Sequence, residues 1–192
     1  ILKSSSFSAL AIEDALLRPE EQPKNIVIHP LPKDRKDVAE LISSILSMAH
    51  GEISGIGGFL YLYQIAEHLM ELHFAELVQS ALRQSLPAWK LKKKLTEATS
   101  ESARLRQIAR RASDNGANML VFDSLGTACN DLLKSCDAER DADSNTWIDS
   151  MYGVRNLLVH NHLSIIRSNS SSKLEQINSL LHRAMLEMIF KY

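Results

Sequence analysis

The chain has 192 residues, enough for one good-sized domain or one domain with an arm, and too few for two full ones. Its 22 basic and 23 acidic side chains leave a formal charge of −1, which excludes a uniformly basic wrapper of nucleic acid and a highly charged disordered tail. A hydrophobic fraction of 45% with 23% charged is that of a soluble globular domain, which at this length buries about 70% of its unfolded surface without staples.

Four of the five prolines fall between Pro19 and Pro32, and residues 1–36 read as an arm or linker. That arm holds a Ser-rich start, a short helical pattern over Ala9–Leu17 and Pro-punctuated coil; Asn25–His29 is the only strand-like run and is too short to found a sheet. The rest is written in helical period. Asp37–Ala49 places Val38, Leu41, Ile42, Ile45 and Met48 on one stripe. Gly55, Gly57 and Gly58 predict a flexible linker into an apolar helix from Phe59 to about Leu82, interrupted before Pro87. From Ala88 onward there is no proline. A basic helix is predicted over Thr99–Ala112 with Ser100 or Ser102 as cap, then a turn at Asp114-Asn115-Gly116. Helices follow over Met119–Cys136, Thr146–Ser168 and Lys173–Lys191, with an acidic loop at Asp137–Asn145 and a flexible break at Ser168–Ser172. The expected fold is all-α: a bundle of about five to six helices over residues 37–192, behind an irregular N-terminal arm.

Cys129 and Cys136 lack the neighbours of a zinc site and read as small buried hydrophobes on one helical face. No apolar run reaches the roughly 18 residues of a membrane span, and no signal peptide is visible. A cytoplasmic address without membrane contact is expected. The chain starts at Ile1 rather than Met, so it reads as trimmed or as a piece of something longer.

Charge is unevenly spread. Between Arg83 and Arg111 nine basic residues face only Glu97 and Glu101, whereas Asp114–Asp149 holds eight acids against Lys134 and Arg140. The basic segment is either a solvated face or a strip that attracts phosphate. On the second reading Lys90, Lys92, Lys93, Lys94, Arg104, Arg110 and Arg111 would draw in RNA, without base specificity.

The segment with most chemistry is Tyr152-Gly-Val-Arg155-Asn156-Leu-Leu-Val-His160-Asn161-His162. On a helix, Trp147, Met151, Val154, Leu158 and Ile165 fall within about 60° and form the core stripe. Ile148, Val159, Ile166, Tyr152 and Leu163 extend the apolar surface further, beyond what one small bundle covers, which a partner surface would explain. Asn156 and His160, i and i+4, share a face, whereas Arg155 lies about 140° from His160. One helix is poorly placed to bring Arg155 and His160 onto the same small group, and two facing copies would do so more easily. Arg offers a planar cationic fork to phosphate oxygens, His exchanges a proton near neutral pH, and Asn orients either group. Two Arg and two His suffice for metal-free RNA cleavage by the ribose 2′-OH, sparing DNA. The structural alternative pairs the Arg with an acid and caps the His with a carbonyl.

Arg155-Asn156-Leu157-Leu158-Val159-His160 resembles the Arg-x4–6-His motif of the HEPN superfamily in its form with Asn after Arg. Tyr152, the apolar filler and the order of elements from about Asp37 to Tyr192, with the motif on a late helix followed by one more, are similar to that family as well. The specific signal is the six motif residues. The resemblance implies an all-α, homodimeric, metal-independent endoribonuclease of a prokaryotic toxin, antiphage or CRISPR-associated system. No cofactor is implied. Arg155 and His160 would be the catalytic pair and Asn156 their polar support, with RNA as substrate and a sensor or inhibitor, as domain or separate protein, as further partner. One toxin subgroup has Tyr two residues after the motif His; His162 stands there in this chain, which argues against that subgroup. HEPN domains without ribonuclease activity usually lack the Arg or His, and this chain keeps both. The alternative is a non-catalytic helical module that binds protein or RNA.

Other signals are weaker. His160-Asn161-His162 spells HNH without the hairpin and downstream ligands of that nuclease, and two His at i and i+2 point about 160° apart. Gln64, Glu67, His68 and Glu71 form a polar ribbon that reads as the solvated edge of a core helix, or as a face of the dimer cleft from which Glu67 tunes the Arg155–His160 site. No metal site is expected.

Overall fold

The computed structural model describes residues 36–84, 86–138 and 146–191. The predicted arm, with its Ala9–Leu17 helix and Asn25–His29 run, and most of the predicted acidic loop lie outside the described residues. Among the described residues there are eight helices and no strand: α1 Lys36–Gly51, α2 Gly55–Arg83, α3 Ala88–Glu97, α4 Glu101–Asp114, α5 Met119–Ser135, α6 Trp147–Asn161, α7 Leu163–Arg167 and α8 Ser171–Lys191. The all-α class is as expected, and the additions to the expected five to six are α3 and α7.

Three local features explain where the helices differ from expectation. The predicted Gly55–Gly58 linker is instead the first turn of α2. Ser54 caps it, its hydroxyl accepting from the Gly57 N–H at 3.3 Å, and the Asn178 side chain of α8 donates to the Gly55 carbonyl at 2.8 Å. The predicted single helix over Thr146–Ser168 breaks at His162, where the Ser164 hydroxyl donates to the Asn161 carbonyl at 2.7 Å and competes with the helical ladder. The Ser168–Ser172 break is an ordered turn: Ser170 is buried, and Ser135, Ser168 and Ser170 exchange hydroxyl contacts of 2.8–3.2 Å.

α8 runs against α2, α5 and α4, so its buried residues wrap round much of its circumference: Leu174, Ile177, Leu181, Ala184, Met185, Leu186 and Met188. Such burial, at about 1.5–3 kcal/mol per large side chain, is the main force holding the bundle. α1 packs on α2, and α5 lies along α6. The α5–α6 crossing is close because both helices present glycine there. A Cβ on Gly126 would stand 2.8 Å from the Trp147 Cβ and 2.9 Å from its Cα, and one on Gly153 would stand 2.9 Å from a Leu133 methyl. The expected core stripe of α6 is inside: Met151, Val154, Leu158 and, beyond the break, Ile165 are buried, while Trp147 is half-buried against Phe122.

Cys129 is buried and its thiol is pushed up to about 12 by burial, so it stays protonated and inert. Cys136 is half-buried, 3.3 Å from the Ser168 hydroxyl, and both cysteines are free.

Candidate functional site

α6 carries the Arg–His motif and is fixed at its N-terminus by three neighbours. Thr146 and Asp149 cap each other, the Asp149 backbone N–H donating to the Thr146 hydroxyl at 3.3 Å while that hydroxyl donates to the Asp149 carboxylate. From α4, Arg106 donates to the same carboxylate at 2.8 Å. From α5, Asn130 accepts from the buried Ser150 hydroxyl at 2.9 Å. These contacts set the rotation of α6 about its axis and therefore which motif residues face solvent.

Arg155 is half-buried. Its Nη1 donates to the Asn156 side-chain oxygen at 3.3 Å, and its Nη2 lies 4.0 Å from Glu67 Oε1 on α2. Burial raises the Glu67 carboxyl above its usual value; Arg155 pulls it back, and Glu101 at the start of α4 and Glu71 push it further up. Beneath them Tyr63 is buried, its phenol held above the usual range by burial, then by Glu101 and Glu67, with Arg155 opposing. Arg155, Asn156, Glu67, Glu101 and Tyr63 thus form one polar patch where α2, α4 and α6 meet. The Arg fork is the part of the patch suited to an anion, and the neighbouring Glu67 and Glu101 carboxylates work against one.

His160 stands apart from that patch. It is exposed in the last turn of α6, about 7.5 Å further along the axis and about 140° round from Arg155. Between the two on α6 the bundle leaves Tyr152 (37% exposed) and Val159 (46%) uncovered, and beyond the break α7 adds the exposed Leu163 (51%) and Ile166 (63%). Of the apolar excess anticipated on this helix, only Ile148 is taken into the core.

The basic strip divides. Lys90, Lys92, Lys93 and Lys94 are exposed on α3, and Arg110 is exposed on α4. Arg111 is ion-paired with Glu76 at 2.9 Å, and Arg104 is half-buried with its guanidinium 5.7 Å from the centre of the Phe74 ring. Arg106, the remaining α4 arginine, holds Asp149. The polar ribbon of α2 is the expected solvated edge only at Gln64 and Glu71, which are exposed; His68 is half-buried, 4.0 Å from Glu71. Glu67 leaves the ribbon for Arg155. Among the described residues no group of three or more His, Cys, Asp or Glu side chains is disposed to hold a metal, and no helix is long and apolar enough to cross a membrane.

Glu101 and Tyr63 belong to the Arg155 patch and have no sequence signal linking them to it. They lie 54 and 92 positions before Arg155 and arrive only through packing of α4 and α2 on α6. No known protein family, curated protein or solved structure matches the chain.

Proposed function

We propose that the protein is a metal-independent endoribonuclease of HEPN type that cleaves RNA at a site shared between two copies of the chain. The observation that supports this most is the uncovered apolar stripe of α6 and α7, flanked by Arg155 on one side and His160 on the other. Apposing two such stripes would cover Tyr152, Val159, Leu163 and Ile166 and bring two Arg155 and two His160 side chains toward a common cleft. In that cleft one His160 would take the proton of the ribose 2′-OH as the 2′-oxygen attacks phosphorus. The second would protonate the departing 5′-oxygen, and the Arg155 forks, steadied by Asn156, would balance the charge on the phosphoryl oxygens. The products are a 2′,3′-cyclic phosphate and a 5′-hydroxyl. The motif context supports placing the enzyme in a toxin or antiphage defence system, held in check or triggered by a sensor or inhibitor.

A second reading is favoured by one contact: Arg155 lies beside Glu67 and bonds to Asn156, as a structural arginine would. The chain would then be a non-catalytic helical module that binds protein or RNA. Cleavage of end-labelled single-stranded RNA in EDTA separates the two. Cyclic-phosphate ends from the wild type, absent from both Arg155→Ala and His160→Ala with unchanged thermal melts, are expected of the enzyme. Melting temperatures that fall by several degrees in Arg155→Ala, with no cleavage by the wild type, would leave the structural reading standing.

A further inference from the structure

α3 is unlike the other helices of the bundle. It is a ten-residue helix, starts directly after Pro87, and packs less extensively on its neighbours than the long helices do. Its inward side is Leu91 and Leu95, both half-buried, and the buried Ala98 just past its end. Diametrically opposite, within about 40° of each other, stand Trp89 and Lys93, with Lys90 and Lys92 to either side. Trp89 is 66% exposed, and the Lys90 ammonium lies 5.3 Å from its ring centre. The chain's other tryptophan, Trp147, packs on Phe122. An indole in solvent forgoes burial that a core position would supply, and here it stands among the densest cations of the chain.

We infer that Trp89 is a stacking platform for an unpaired base, and that the lysines around it hold the flanking phosphates, making α3 a docking element for single-stranded nucleic acid. Charge complementarity selects the partner: four lysines within five residues attract a polyanion, and an aromatic face among them suits a strand whose bases are splayed out. An anionic membrane fits less well, because surface-bound helices insert a broad apolar face and the apolar side of α3 is turned to the bundle. Direction also fits. Ala98 leads through the Ser100 cap into Glu101, whose carboxylate acts on Glu67 and Tyr63 beside Arg155. Trp89 sits about 14 Å back along α3 from that turn. The inference rests on reading α3 as the strip that draws in RNA. It requires no cleavage.

Stacking and phosphate contacts do not need the 2′-OH, so the test uses a short fluorescein-labelled oligothymidylate, which cannot be cleaved, and the matching oligouridylate on His160→Ala. Fluorescence anisotropy with the full chain reads both. Trp89→Ala is expected to weaken binding of both strands about 5- to 150-fold, while Trp89→Phe retains most of it. Lys92→Gln with Lys93→Gln is expected to flatten the salt dependence of log K by roughly 0.7 for each phosphate that is no longer neutralised. Heparin, which has charge without bases, is expected to bind Trp89→Ala as tightly as wild type. Unchanged strand binding by Trp89→Ala overturns the inference and leaves a strip of charge alone. Absence of strand binding by the wild type overturns it too, as does Trp89-dependent binding of phosphatidylcholine–phosphatidylserine vesicles in place of strands. Failure of RNA cleavage, by contrast, would count against the ribonuclease and leave these results untouched.

Discussion

At Arg155 two demands meet. The guanidinium must stay available to a phosphate, yet it is held by Asn156 and faces Glu67 across 4.0 Å. A lysine would keep the charge and lose the planar fork, so Arg155→Lys is expected to cut RNA cleavage by at least about tenfold while leaving the melting temperature within about 2 °C. Glu67 gives a pH signature. Its carboxyl is raised in the folded chain, so the folded state holds a proton that the unfolded state has released in the window just above the ordinary carboxylate value. Stability contributed by that proton is present below the window and falls as pH rises through it. Glu67→Gln should therefore melt slightly above wild type at pH 7 and with it at pH 4. Half-exposure of the side chain limits the difference to about 2 °C or less, since a domain of this size moves about 2–4 °C per kcal/mol. Thermal melts across pH check it. Of this patch, Arg155 and Asn156 were legible as a motif and Glu67 as a ribbon residue able to turn toward them. Tyr63 and Glu101 were not, because nothing in a helical period says which helix will pack on which.

Among elements, the α5–α6 crossing sets how close the motif helix lies to the bundle, and its two glycines differ in what surrounds them. At Gly126 the added methyl would meet the Cα and Cβ of Trp147, part of a backbone that cannot turn aside. At Gly153 it would meet the end of the Leu133 side chain, which can shift rotamer. Alanine gains about 1 kcal/mol of helix propensity at either site. With overpacking costing about 1–3 kcal/mol, Gly126→Ala is expected to lose up to about 2 kcal/mol net, and Gly153→Ala to stay within about 1 kcal/mol of wild type, by urea unfolding. The long helices were legible because their apolar stripes repeat over many turns. α3 was not, since Leu91, Leu95 and Ala98 make a thin stripe that the lysine run between them obscures. Neither was the α6–α7 break, which depends on one hydroxyl, Ser164, choosing a backbone carbonyl. The glycines of Gly55–Gly58 pointed to a linker; the Ser54 cap makes them a first turn, and a second contact on that turn comes from Asn178, more than a hundred residues away.

For the whole molecule the deciding question is whether the apolar stripe has a second copy as its cover. Tyr152 and Val159 lie about 10 Å apart along α6, and with Leu163 and Ile166 of α7 they are enough to seed an interface but small beside the roughly 1,200–2,000 Å² that a stable complex buries, so neighbouring surface must join them. The stripe is already outside the monomer core, and a charge placed there removes nothing that holds the single chain together. Val159→Glu with Ile166→Glu is accordingly expected to melt within about 2 °C of wild type, to sediment as a monomer, and to lose RNA cleavage although Arg155 and His160 are intact. Binding of a strand to α3 should persist in the same variant, since that helix contributes nothing to the stripe. Concentration supplies an independent reading. A site completed only by pairing gives a cleavage rate per chain that rises with protein concentration until dimers dominate, whereas a site contained in one chain gives a constant rate. If the doubly charged variant cleaved as fast as wild type and its rate per chain were flat, Arg155 and His160 would have to meet within one helix. Their separation of about 140° opposes that meeting, and the shared site would have to be given up.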